Sequence, residues 1–83
     1  MNTLKPNCIA KILDSVLRGT VVTLVQLVQP GERVDLRDYN TVATAITNEA
    51  EFDAWLVLRE NTDGTQTAWT IRPDLLEPVD AVA

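Results

Sequence analysis

The sequence contains no histidine and a single cysteine, Cys8. Without histidine the chain lacks the commonest general base near neutral pH and the commonest neutral metal ligand. One cysteine allows no intrachain disulfide, and with no histidine to activate it, it is a poor nucleophile. Its apolar surroundings, Cys8-Ile9-Ala10, point to a buried, inert thiol. Zinc sites are built from clusters of Cys and His, which are missing. The three glycines, Gly19, Gly31 and Gly64, stand far apart, and none opens a Gly-rich helix start, so there is no phosphate loop. We therefore expect no catalytic residue, no metal and no cofactor, and a protein that is not an enzyme.

Long apolar runs are also missing. Polar residues interrupt each one well short of the ~20 residues a membrane helix needs. The opening Met1-Asn2-Thr3-Leu4-Lys5-Pro6 has no hydrophobic stretch and no small-residue cleavage site, so we expect no leader peptide. A small domain without disulfides fits a reducing compartment, and the expected location is cytoplasmic. Basic charge is scarce: seven Lys and Arg stand against twelve Asp and Glu, a formal net charge of −5. Nucleic-acid binding draws most of its affinity from phosphate neutralisation, so direct contact with DNA or RNA is disfavoured.

What is present is a β-rich pattern around one stretch, Gly19-Thr20-Val21-Val22-Thr23-Leu24-Val25-Gln26-Leu27-Val28-Gln29. Its β-branched residues lose little on a pleated surface and lose χ1 freedom in a helix. We read it as the central strand of a small β-barrel. At 83 residues the chain is one domain with a thin core. Residues 1–7 read as a flexible arm, 8–79 as the domain and 80–83 as a frayed tail.

The elements follow in order. Cys8 to Leu13 is a first strand, and residues 14–19 a turn. Gln29-Pro30-Gly31-Glu32 has type II turn chemistry, with proline presetting φ and Gly31 accepting a positive φ. Arg33 to Arg37 reads as a short alternating edge strand. Residues 38–51 form a long insertion in which Thr41 to Ile46 fits either a short strand or a helical turn. Phe52 to Arg59 and Thr65 to Ile71 form a hairpin around Asn61-Thr62-Asp63-Gly64. With Glu60 opposite Thr65, Leu56 faces Trp69 and Ala54 faces Ile71, which puts Trp69 in the core and Trp55 outside or half-covered. Arg72 to Leu76 reads as a 3₁₀ turn in which Asp74 caps or closes the turn, and Leu76 to Val79 as a final edge strand, confined there by Pro78.

This layout resembles an SH3-like barrel: five antiparallel strands with a long loop insertion and one 3₁₀ turn. Cys8 to Leu13 followed by Gly19-Thr20-Val21-Val22-Thr23-Leu24-Val25 resembles the KOW motif, with Asp14-Ser15 where that motif usually has Gly-Pro. Trp55-Leu56-Val57 and Arg72-Pro73-Asp74-Leu75-Leu76-Glu77-Pro78 look similar to small SH3-like proteins of bacteriophages and prophages. The KOW resemblance implies a partner in transcription or translation, with RNA polymerase first.

Three candidate surfaces emerge. In the central strand Val22, Leu24 and Val28 are expected inside. Val21, Val25 and Leu27 then point outward near Trp55, Val57 and Ala68, as an apolar patch for a protein partner. The competing reading is that residues 33–50, with Val42 and Ile46, fold over that face. Arg18, Arg33 and Arg37 with Tyr39 form a second set of anchors. Glu49, Glu51 and Asp53 alternate, so an extended segment would align them as a weak hard-metal site or a row of phosphate mimics; the competing reading is a solvated edge. The leading expectation is a protein-binding module that regulates a host complex by occlusion or bridging. The alternatives are an acidic inhibitor of a nucleic-acid enzyme or host defence system, and a self-associating virion or assembly component.

Overall fold

A computed structural model describes residues 4–13 and 18–79. The strands are β1 (Ile9–Ile12), β2 (Val21–Val28), β3 (Arg33–Asp35), β4 (Ala45–Thr47), β5 (Ala54–Glu60), β6 (Gln66–Ile71) and β7 (Leu76–Pro78), with a 3₁₀ turn at Pro73–Leu75 before β7. Five of them form one antiparallel sheet in the order β6-β5-β2-β1-β7, and β3 and β4 form a separate two-stranded ribbon. The expected barrel is therefore not closed, because β6 and β7 are the two edges of the sheet and share no ladder. The readings for residues 1–3, 14–17 and 80–83 lie outside the described residues. Within the segment expected as an arm, Leu4 packs against the core, and the Asn7 N–H donates to the Leu24 carbonyl at 2.8 Å.

Each face of the sheet carries an apolar cluster. On the inner face Ala10, Ile12, Val22, Leu24, Trp55, Val57, Ile71 and Leu76 form the main core. On the outer face Val28, Leu36 and Leu56 form a second cluster, with Val34, Tyr39 and Ile46 of the insertion packed on it. Residues 33–50 fold over the sheet, but of the expected patch they cover only Val25 and Ala68: Val21 and Leu27 are exposed, and Trp55 and Val57 lie on the inner face. Ile46 takes part in the cover, whereas Val42 stands 94% exposed.

A register shift between Leu24 and Gln26 lets β2 serve both clusters. Leu24 pairs with Val57, whereas Gln26 pairs with Leu56. The extra residue reverses which face the even positions take. Val22 and Leu24 therefore point into the main core, and Val28 points into the second cluster. Val25, expected outward, is half-buried against the second cluster instead.

The β5–β6 register differs from expectation by one residue. Glu60 pairs with Gln66, Val57 with Trp69, and Trp55 with Ile71. Asn61 and Thr65 close the loop, with the Asn61 N–H donating to the Thr65 carbonyl at 2.8 Å. The loop proper is then Thr62-Asp63-Gly64, with Gly64 at φ 88°. In a three-residue loop of this kind the last position is left-handed, which glycine adopts without a Cβ clash. The slip exchanges the roles of the two tryptophans: Trp55 is buried at 7% exposure, and Trp69 is half-buried at the margin of the same core.

Asp63 holds this loop together. Its carboxylate accepts from the Thr65 hydroxyl at 2.6 Å and the Thr65 N–H at 3.0 Å. These bonds, the hydroxyl first, hold its pKa below the ordinary aspartate value. A depressed carboxylate pKa contributes stability that is present above the unfolded value and lost as pH falls through the folded one. We expect Asp63→Asn to flatten the acid limb of a stability-against-pH curve below about pH 4. Thermal melts of both proteins at a series of acid pH values check this, and parallel curves would contradict it.

Candidate functional site

The insertion is seated by a polar residue that sequence reasoning passed over. Asn48 follows β4 and is completely buried. Its Nδ2 donates to the carbonyls of Val28 and Phe52, each at 2.9 Å, and its Oδ1 accepts from the Ala50 N–H at 3.0 Å. Its backbone extends the β3–β4 ladder: the Asn48 N–H donates to the Glu32 carbonyl at 3.0 Å, and its carbonyl accepts from the Gly31 N–H at 2.8 Å. One residue thus joins the end of β2 and the approach to β5 through its side chain, and the turn before β3 through its backbone. The turn has the expected chemistry, with Gly31 at φ 79° and the Glu32 N–H donating to the Gln29 carbonyl at 3.0 Å. The only sequence signal was position: an asparagine just past an apolar run, in a segment of undecided structure.

Covering one half of the outer face leaves the other half open. The side chains of Ile9, Lys11 and Leu13 alternate with the buried Ala10 and Ile12, so they point outward from β1. In the β1–β2 register Ile9 lies opposite Thr23 and Lys11 opposite Val21. Lys11 also lies opposite Glu77, and the Val79 N–H donates to the Ile9 carbonyl at 3.0 Å. Ile9, Leu13, Val21 and Val79 therefore share one face, at 44%, 37%, 52% and 38% exposure. The pair Lys11 and Glu77 crosses the patch.

The expected partner residues divide. Trp55 and Val57 are sealed in the main core, which corrects their assignment to a docking surface: they lie on the inner face, opposite to the one the insertion covers. Leu27 is exposed, as expected, but it pairs with Trp55 at the inner-face end of β2, away from the open patch. Phe52 is also exposed, with the Arg72 guanidinium 5.3 Å from its ring centroid. Asp74 does not cap the 3₁₀ turn; its carboxylate accepts from Arg72 Nε at 3.0 Å and Nη2 at 2.8 Å.

The second set is brought together in part. Arg33 and Arg37 line an open groove of about 460 Å³ on the ribbon, with Asp35, Thr44 and Ala45. Asp35 takes up one of the two charges, accepting from Arg37 Nη2 at 2.6 Å and Nε at 2.9 Å. That side-chain bond, and the one from the Arg37 N–H, hold the Asp35 pKa low. Both side chains are largely exposed, and a surface pair of this kind contributes little to stability. Tyr39 packs into the second cluster, and Arg18 stands at the turn before β2, outside the groove.

Glu49, Glu51 and Asp53 are exposed, but they lie in an irregular segment before β5 and in no strand. The alternation that would have aligned them is not available there. Among the described residues no three His, Cys, Asp or Glu side chains are gathered to hold a metal ion. No helix of the described residues is long and apolar enough to cross a membrane.

The class defined so far is a small, mainly β domain with a five-stranded antiparallel sheet, one half of its outer face covered by an inserted ribbon. Comparisons with family models, with curated proteins and with solved structures give no match.

Proposed function

We propose that this chain is an SH3-like, non-enzymatic protein-binding module that docks a partner on the open half of its outer sheet face. The observation that carries the reading is the patch of Ile9 on β1, Val21 on β2, and Leu13 and Val79 just past the ends of β1 and β7, left bare where the β3–β4 ribbon stops. Grouped exposed apolar side chains with a polar pair among them are common at interfaces. The element order supports the SH3-like part: a strand, a long bulged strand, an insertion, a hairpin, a 3₁₀ turn and a short last strand. The KOW resemblance runs through β1 and the start of β2, the same strands that carry the patch. It makes a bacterial transcription complex the first partner to try, and the similarity to small phage proteins makes host regulation by occlusion the first role.

Binding to purified bacterial RNA polymerase tests this directly. Val21→Glu places a carboxylate opposite Lys11, an opposite-charge pair that a sheet tolerates. The variant is expected to keep its melting temperature and lose affinity by at least about tenfold. Undiminished binding by the variant would contradict the surface, and absence of binding by the wild-type chain would contradict the partner.

A further inference from the structure

The two edges of the sheet are built differently. β7 has three residues and carries Glu77 and Pro78, a charge and a missing donor of the kind that discourage further strand pairing. β6 is Gln66-Thr67-Ala68-Trp69-Thr70-Ile71, twice as long, with no charge, proline or glycine. Its pairing with β5 runs without a bulge.

The hydrogen-bond phase of β6 shows which backbone groups face outward. Asn61 and Thr65 form a bonded pair at the loop. In an antiparallel ladder bonded pairs recur every two residues. Thr67, Trp69 and Ile71 therefore direct their N–H and C=O groups at β5, and Gln66, Ala68 and Thr70 direct theirs away. The Gln66 N–H confirms the phase, because it donates outward to the Asn40 carbonyl at 2.7 Å. Thr41 bridges to Gln66, and the Asn40 side chain donates to the Gly64 carbonyl at 2.7 Å, so that end of the edge is occupied. At the other end Pro73 opens the 3₁₀ turn. Between them the backbone groups of Ala68 and Thr70 meet no backbone partner among the described residues.

We propose that β6 pairs antiparallel with β6 of a second copy of this chain, about a two-fold axis at Trp69. The open window is self-complementary. Ala68 of each strand exchanges both hydrogen bonds with Thr70 of the other, so every outward N–H and C=O in the window gains a partner. Trp69 then faces its symmetry mate in the non-bonded position, where Cα atoms approach to about 4.5 Å and aromatic pairs gain most. Trp69 is only half-buried in the monomer, so it has ring surface left to cover. The strand has no charge to repel its own copy, despite the net −5 of the whole chain. Asn40 and Thr41 block a slide toward the loop, which fixes the register. A two-fold contact uses one patch on both partners, which a lone self-complementary edge satisfies.

Amide hydrogen exchange of the full chain by NMR across protein concentration, with sedimentation equilibrium alongside, tests the proposal. In dilute solution the Ala68 and Thr70 amides exchange rapidly, and those of Thr67 and Trp69 slowly. On going from about 20 μM to about 1 mM, the Ala68 and Thr70 amides slow by about tenfold or more, Trp69 changes little, and the mean mass moves toward two chains. Thr70→Pro removes an outward N–H that β5 does not use, and Thr67→Lys adds an edge charge. Both variants stay monomeric, and Thr67→Lys decides should the proline variant fail to fold. A wild-type chain that stays monomeric at about 1 mM overturns the proposal. So does a dimer that survives Thr67→Lys, a dimer that Val21→Glu abolishes, or protection of Ala68 and Thr70 that appears only when an unlike protein is added.

Discussion

Replacing Asn48 by alanine is expected to lower the unfolding free energy by about 3 kcal/mol, a fall in melting temperature on the order of 15 °C for a domain of this size. Removing the amide strands the Val28 and Phe52 carbonyls and the Ala50 N–H, all of which Asn48 satisfies. A buried polar group without a partner costs about 1–3 kcal/mol, whereas the bond itself contributes less when both partners return to water. Asn48→Asp discriminates further. An ionised carboxylate has no N–H to give to two carbonyls, and its burial disfavours the charge. The aspartate variant is therefore expected to be worse than alanine at pH 7 and to recover part of its stability near pH 4, where the protonated acid can donate one bond. Equilibrium unfolding of the three proteins at both pH values checks the order. An alanine variant within about 0.5 kcal/mol of wild type would mean that the insertion is not seated through this residue.

The second large effect belongs to Trp55. Its truncation to alanine is expected to cost about 3–5 kcal/mol, because the side chain sits in the main core among Leu24, Val57 and Ile71. Trp69→Ala is expected to cost less than half as much, since its ring is already partly in water. Denaturant melts of the two variants give the comparison. A larger loss at Trp69 would imply the alternative β5–β6 register, in which Trp69 is the buried ring. The same pair bears on self-association. Trp55→Ala leaves the β6 edge unchanged, whereas Trp69→Ala removes the side chain placed on the two-fold axis.

The positions of the strands were legible because each apolar stretch is bounded by residues with few conformational options. Gly31 and Gly64 take positive φ where the turns require it, and Pro73 and Pro78 fall at the 3₁₀ turn and on the edge strand. The faces were not legible. Ala54-Trp55-Leu56-Val57-Leu58 is apolar throughout and buried on both sides, so a one-residue slip leaves an equally apolar pattern, and alternation cannot choose between the registers. The Asn61–Thr65 closure decided it, through a loop one residue shorter than the residue types alone required. The bulge near Val25 was invisible for the same reason, since Val22, Leu24 and Val28 belong to one alternating set in sequence and to two cores in space.

The candidate site was legible only in outline. An apolar outer surface on the central strand was anticipated, and Val21 is exposed there, whereas the exposed Leu27 lies on the inner-face side, opposite Trp55. Ile9, Leu13 and Val79 were missed, because what bares them is where the β3–β4 ribbon ends, a long-range fact that no local pattern encodes. Asn48 was missed because an asparagine in an undecided segment reads as a loop residue unless its partners, 20 residues earlier and 4 later, are known.

The pairing of β5 with β6 decides which tryptophan is sealed and which backbone groups line the outer edge. Cross-strand Hα–Hα contacts by NMR measure it, because they arise between directly opposed residues of non-bonded pairs. The pairing predicts such contacts for Leu58 with Ala68 and for Leu56 with Thr70. Contacts of Leu58 with Thr67 and of Leu56 with Trp69 would contradict it.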